Sequence, residues 1–342
     1  MQNDCSPDGQ LPVDDLLGRV WMPPSWNEIN VAIALSGGAD SMALLRVLQQ
    51  LKKQLGGAGR LMAMHVNHQL RGAESADDAQ WCRQQCEALA IPLEVLTCDT
   101  LQYATETGEG LEAAARAGRY QLLTDAAEQA GVRYLATAHT RDDQIETVLF
   151  RVLRGTGLRG LAGIPRTRSL TPTVTLVRPL LDCWRAMVTD YLSELGQAYR
   201  TDRSNVDTRF TRNRIRHELL PLLREQYNTD LDGALVRLAR QAGESQQVVE
   251  LQARRLLDAA ECVAKPQALT LCWQVFAEQQ HFLVCEALRI AWREAGLAEQ
   301  AMTYEWWNRL AEMVLQPREG AVFNLPGNVR ASIAGEQFLL EW

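Results

Sequence analysis

The sequence predicts an α/β fold in which a parallel-sheet domain is followed by a mainly helical C-terminal domain. Three observations carry this prediction. Short apolar runs alternate with amphipathic stretches from residue 31 to about 154, the pattern of repeated βα units. Beyond about residue 230 the chain reads mainly as helix and ends in short strand-like pieces with turn signals such as Pro326-Gly327-Asn328. The length of 342 residues exceeds what one ordinary core covers, so at least two domains are expected.

Taken in order, Val31 to Leu35 is a buried-strand candidate, followed by a glycine turn and a helix from about Ser41 to Gln54. Leu61 to Val66 reads as a second strand, with a helix over 74–90 that carries acids in its first turn. Leu93 to Thr97 is a third strand, and Leu111 to Ala130 a long helix. Tyr134 to Ala138 is a fourth strand, leading into a helix from about Asp142 to Arg154. A helix is expected over 180–195, then a polar stretch from Arg200 to Asn213, then a helix from Ile215 that Pro221 should kink. The domains expected are a leader over 1–30, a parallel-sheet domain over 31–217 and a helical domain over 218–342. In such a sheet, ligands bind beyond the carboxyl ends of the strands.

Composition excludes several classes. Hydrophobic residues make up 46% of the chain and charged residues 23%, which argues against disorder. No window approaches the ~20 apolar residues of a membrane span, and the acidic N-terminus lacks a signal pattern, so a cytoplasmic protein without membrane partners is expected. The eight cysteines contain no Cys-x-x-Cys pair, which points to reduced thiols and away from structural zinc. The net charge of −7 is uneven: residues 1–30 carry −4, residues 225–342 carry −6, and the middle is positive. Five arginines and no acid fall in 151–168, and seven arginines against three acids in 200–224. A basic stretch inside an acidic protein suggests a phosphate-bearing partner, although a solvated helix face would look the same.

The densest chemical signal is Ser36-Gly37-Gly38-Ala39-Asp40-Ser41 between a strand and a helix. Adjacent glycines let backbone N–H groups close around an anion, and the helix N-terminus adds partial positive charge. Ser36 and Ser41 can add hydroxyl donors. Asp40 beside bound phosphates requires a cation between them, and Mg²⁺ is the usual one. The Gly-Lys-Ser/Thr ending of a Walker A loop is missing. This run resembles the PP-loop of the ATP pyrophosphatase superfamily, which cleaves ATP between its α and β phosphates. The later motifs resemble those of one family within it, the tRNA(Ile)-lysidine synthases. They are His65-Val66-Asn67-His68-Gln69-Leu70-Arg71-Gly72; Leu111 to Arg116 with Arg119-Tyr120; Ala138 to Thr147; Arg154 to Leu161; and Phe210 to Arg216. The resemblance spans roughly 30–224.

Read as residues, His65, Asn67 and His68 end a strand where a crevice is expected, and offer donors and acceptors to a nucleotide or simply close loop hydrogen bonds. His139 precedes a helix in the same position on another strand. Thr140 and Asp143 have the spacing of a capping box. Asp142 and Glu146 share a helix face at i, i+4, where like charges repel unless a cation lies between them. Glu112, Arg116 and Arg119 line one face of their helix and would form a surface ion-pair ladder.

The resemblance implies more. It makes Arg116 and Arg119, with Arg154, Arg159, Arg212, Arg214 and Arg216, contacts to phosphate or tRNA. It makes Asp142, Asp143 and Glu146, unranked, the seat of a lysine ammonium. It implies a PP-loop ATPase domain using ATP and Mg²⁺, a CAU-anticodon tRNA(Ile) and L-lysine as substrates, and a ligase that joins lysine to C2 of the wobble cytidine. A homodimer is possible. The missing Cys-x-x-Cys argues against an iron–sulfur tRNA thiolase. The chain reads as a short form without a third domain.

Overall fold

In the computed structural model, which describes residues 13–69, 73–107, 110–201 and 211–342, the chain enters through α1 (Val13–Arg19) and a 3-10 turn at Trp26–Glu28. Leu16 and Trp26 are buried in the core, so this part of the expected leader is built into the domain that follows.

The first strand, β1 (Val31–Ala34), is an unbroken apolar run because it is covered on both faces. Its neighbours along the chain are α2 (Ala39–Leu55), β2 (Leu61–Asn67), α3 (Ala73–Ala88), β3 (Leu93–Thr97) and α4 (Thr100–Thr107). Then come α5 (Leu111–Gln129), β4 (Tyr134–Ala136), α6 (Arg141–Leu153), α7 (Leu158–Leu161), β5 (Thr167–Ser169), β6 (Thr175–Val177) and α8 (Arg185–Glu194). The sheet order is β3-β2-β1-β4-β6-β5, with β5 antiparallel at the edge and every other pair parallel. Alternate residues of β1 feed the two faces: Val31 and Ile33 pack with α2 and α8, whereas Ala32 packs with Leu123, Ala126 and Ala127 of α5. The chain runs outward from β1 to β3 and returns to β4 on the other side of β1. That reversal makes the carboxyl ends of β1 and β4 the topological switch point, where a ligand crevice opens.

The segment read as one helix from Ile215 comprises α9 (Thr211–Arg214), a π-helical turn (Ile215–Leu219) and α10 (Leu220–Gln226). Pro221 has no N–H to give to the preceding turn, and the wider π spacing accommodates the lost bond. Ile215 and Leu220 pack with Ile145, Val148 and Leu149 of α6, and with Leu235 and Ala239 of α11 (Leu231–Ala259).

The chain divides into two compact units, Met1–Thr156 with Gly163–Ala239, and Gly157–Ala162 with Arg240–Trp342. The sequence reading placed the boundary at 217, before α11. The second unit adds β7 (Val263–Lys265), β8 (Ala268–Cys272), α12 (His281–Glu294), α13 (Tyr304–Leu315), β9 (Val322–Leu325), β10 (Val329–Ala334) and β11 (Gln337–Glu341). Its strands form an antiparallel sheet in the order β7-β8-β11-β10-β9. Trp292 and Trp307 meet edge-to-face at 5.6 Å in a core of its own, so Trp307 is a packing residue. Among the described residues no helix is long and apolar enough to cross a membrane.

Candidate active site

The loop after β1 is shaped by its own hydrogen bonds. Ser41 Oγ donates to the Gly38 carbonyl (3.0 Å), accepts the Ser36 N–H (3.2 Å) and lies 3.0 Å from Ser36 Oγ. Gly37 adopts φ +84°, and a Cβ there would stand 3.3 Å from Cys82 Sγ, so two independent constraints require glycine. Gly38 is the N-cap of α2 and has no side chain to cap it, which leaves first-turn N–H groups beginning at Ala39 as anion donors. His65 supports this geometry from below: its Nδ1 donates to the Leu35 carbonyl (2.9 Å), one residue before the loop. Burial pushes the His65 pKa down, so the ring is held neutral.

Asp40 lies in the first turn of α2. One carboxylate oxygen is 3.4 Å from Arg185 Nε, and the other, Oδ1, is buried without a hydrogen-bond partner. Burial raises the Asp40 pKa, an effect the Arg185 charge partly offsets. A buried carboxylate oxygen without a partner beside an anion-binding loop fits a Mg²⁺ held by one carboxylate, waters and phosphate oxygens. Among the described residues no three His, Cys, Asp or Glu side chains group as an all-protein cage would require.

The second half of the site comes from α6. The carboxylate of Asp143 takes the Thr140 backbone N–H at 2.8 Å, closing the capping box expected from the spacing. Its other oxygen lies 3.1 Å from both Arg185 Nη2 and Arg212 Nη2. Burial would raise the Asp143 pKa, but Arg185, the Thr140 N–H and Arg212 outweigh it and hold the carboxyl below the usual range. Glu146, with 2% of its side chain exposed, accepts from Arg212 Nε (3.0 Å) and from Arg216 Nε and Nη2 (2.6 and 3.0 Å). Asp142 accepts the backbone N–H of Arg185 at 2.8 Å. The like charges at 142 and 146 are thus answered within this chain, Glu146 by three guanidinium groups and Asp142 by a backbone N–H, where the spacing alone suggested a metal or an ammonium ion.

Arg212 and Arg216, expected as phosphate or RNA contacts, are turned to Glu146. The reason is packing: Ile215 and Leu220 dock on α6 and carry the flanking arginines to its buried acid. Arg214 stays at the surface, 3.9 Å from Glu218 on the same helical face. Arg159 belongs to the second unit, where it is 3.8 Å from Glu299. Arg154 is exposed and stacks on Phe150. Arg116 and Arg119 both lie over the Tyr120 ring, joined there by Arg168. Among the described residues no carboxylate comes within ion-pair distance of these three, while the side chain of Glu112 lies outside the described residues, as do Leu70, Arg71, Gly72 and Phe210. His68 Nδ1 is 3.3 Å from Thr100 Oγ1, and Asn67 Oδ1 accepts the Gln69 N–H (2.9 Å), so both serve the loop locally. His139 Nδ1 lies 3.1 Å from Thr137 Oγ1; burial, then the Arg178 charge, lowers its pKa to about 4.

The residue that sequence reasoning missed is Arg185, which touches both halves of the site. Burial opposes its charge, but Asp143, Asp40, Glu146 and Asp142 hold it protonated. It is the first residue of α8, where the helix dipole disfavours a cation. That misfit was the available signal that acids would gather around it. Arg178 was missed as well: it is 3% exposed and donates to the Pro165 carbonyl.

Residues 17–223 match the family described as the PP-loop domain. A tRNA(Ile)-lysidine synthase of Porphyromonas gingivalis is 43% identical over 207 residues, covering 60% of this chain and 43% of that protein. Another, from Rhodopirellula baltica, is 32% identical over 323 residues, covering 84% of this chain and 80% of that protein. The chain therefore spans less than half the length of the first relative and most of the second. A U34-tRNA thiolase from Methanococcus maripaludis shares the fold with TM-score 0.56 and 18% identity, over 67% of this chain and 77% of the other. The matched region contains the glycine loop, the capped acidic helix and the arginines that close on it, and on these grounds the chain belongs to the tRNA(Ile)-lysidine synthase family of PP-loop proteins.

Proposed function

We propose that this protein is a ligase that joins L-lysine to C2 of the wobble cytidine of a CAU-anticodon tRNA(Ile), using ATP. The observation that carries the reading is the placement of a phosphate-binding loop and a buried acid pair on either side of Arg185. Such a site can hold a triphosphate and a cationic substrate at once. In the first step the C2 oxygen attacks the α-phosphorus and pyrophosphate leaves, giving an adenylated cytidine. In the second the lysine amine attacks C2, AMP leaves with the former C2 oxygen, and the amine loses a proton. The product pairs with A instead of G, which switches codon and amino-acid identity from methionine to isoleucine.

The chain's share of this work is positioning and charge neutralisation. Gly37, Gly38 and the first turn of α2, with Ser36 and Ser41, cradle the phosphates. Asp40 would hold Mg²⁺, which when bound neutralises phosphate charge and favours departure of pyrophosphate. Asp143 and Glu146 take the lysine ammonium, with Asp142 fixing the start of α8. Arg116 and Arg168, exposed, and the half-buried Arg119 gather around Tyr120 and offer an arginine–aromatic platform for an unstacked base or its phosphate. Arg154, Arg159 and Arg214 supply peripheral charge, and residues 218–342 extend the tRNA-contacting surface.

The test is product analysis. Purified protein, Mg-ATP, radiolabelled lysine and unmodified CAU-anticodon tRNA(Ile) should yield labelled lysidine after nuclease digestion, with AMP and pyrophosphate. ATP cleavage to AMP without label in the nucleoside would retain the PP-loop chemistry and reject lysidine synthesis.

A further inference from the structure

Every oxygen of the Asp143–Glu146 pair is already engaged. Asp143 Oδ2 takes the Thr140 N–H, Asp143 Oδ1 faces Arg185 and Arg212, and Glu146 is shared by Arg212 and Arg216, with Arg185 Nη1 at 3.7 Å from its Oε1. An incoming ammonium group must therefore displace a guanidinium. Arg212 and Arg216 are bonded to these two acids, whereas Arg185 also reaches Asp40, at the mouth of the phosphate-binding loop. Among the described residues it is the one cation within ion-pair distance of both subsites.

We propose that Arg185 is a positioning residue that couples the two subsites. Its guanidinium lies across Asp40 and Asp143 and helps close the acid pair to an ammonium ligand. A triphosphate in the loop brings oxygens that a planar guanidinium binds bidentately, in preference to a single carboxylate oxygen. Mg-ATP keeps net negative charge, so the pull on Arg185 is toward the phosphates even with the metal on Asp40. Arg185 then leaves Asp143 Oδ1, and a lysine ammonium can take its place. Nucleotide binding and lysine binding thereby reinforce each other, and by linkage each raises the affinity of the other by the same factor. The site accepts lysine where an activating nucleotide is already bound, which restrains non-productive lysine occupancy. This inference rests on the assignment of Asp143 and Glu146 to the lysine ammonium.

The experiment is calorimetric titration of the full chain with lysine, with and without a saturating non-cleavable Mg-ATP analogue, in wild type, Arg185→Ala and Arg185→Lys. The coupling expected in wild type falls in the ~5- to 150-fold range common for linked sites. Arg185→Ala should bind lysine without nucleotide more tightly than wild type does, with the coupling factor reduced toward one. Arg185→Lys keeps the charge but loses the bidentate fork, so its factor should fall between the two. Far-UV circular dichroism and the urea midpoint of each variant serve as the folding control, and the analogue is raised to saturation for each variant by its own titration, since loss of the Arg185 guanidinium should itself weaken nucleotide binding. Equal lysine affinity with and without the analogue in wild type, or an undiminished factor in the variants, overturns the coupling. Absence of lysine binding in every protein while the analogue still binds overturns the lysine assignment itself, and the coupling with it.

Discussion

Asp40 is the residue whose surroundings most clearly ask for a ligand, because a buried carboxylate oxygen without a partner is costly unless something completes it. Asp40→Asn should lower the ATP-dependent reaction by at least ~10²-fold, in line with the loss of one preorganised charge-stabilising group, and leave tRNA affinity within about twofold. Paired turnover and filter-binding assays check this; a parallel loss of RNA binding would make Asp40 structural. Gly37 presents the opposite case, a residue chosen by backbone shape. Gly37→Ala places a Cβ at φ +84° and 3.3 Å from Cys82 Sγ, and should cost about 2 kcal/mol. A lower urea midpoint with unchanged slope is the expected result, and an unchanged midpoint would show that the loop relaxes freely. Neither constraint on Gly37 was legible in the sequence beyond the glycine itself, since Cys82 is brought there by α3.

At the scale of elements, the site is built where helix N-termini converge on strand ends. The starts of α2, α6 and α8 supply Asp40, Asp142 with Asp143, and Arg185. Two of these placements follow the helix dipole and one opposes it. The ends of β2 and β4 supply His65, His68 and His139, all held toward the neutral form by burial. Their folded-state pKa values lie below the unfolded value of about 6.5, so the folded protein binds fewer protons there than the unfolded chain. Stability from these groups is complete above about pH 6.5 and is lost as pH falls toward the folded values. For His139 that window runs down to about 4 and is worth up to about 3 kcal/mol. His139→Gln should flatten the loss of stability between pH 7 and 5 without abolishing it, because His65 and His68 still contribute. Thermal melts across this range check the slope; a variant with the wild-type profile would remove His139 from the account.

At the scale of the whole molecule, each of the two units carries its own apolar core. All residues of the glycine loop and of the acid–arginine cluster belong to the first unit. Trp307→Ala removes a buried indole from the second core, together with its contact to Trp292, and should cost about 3–5 kcal/mol in that unit. Nucleotide affinity should stay within about twofold. Denaturation followed by tryptophan fluorescence, beside nucleotide titration, checks both halves of this expectation. A large loss of nucleotide binding would show that the second core is needed to form the loop.

The alternation of strands and helices, the glycine loop at the first strand end, the capping box at Thr140 and Asp143, and the family are all legible along the chain. These are local properties: periodicity, turn chemistry and motif order lie along the chain, and neighbouring residues enforce them. Periodicity shows the last strands of the second unit only as strand-like pieces and passes over β7 and β8, because both are short and β8 joins the sheet through β11, far along the chain. Which cations answer which acids depends on contacts between distant parts of the chain. Arg185 stands 145 residues from Asp40 and 42 from Asp143, and Arg216 stands 70 from Glu146. A charge is neutralised by whatever the fold brings within a few ångströms, and that distance depends on helices packing across a sheet rather than on spacing along the chain.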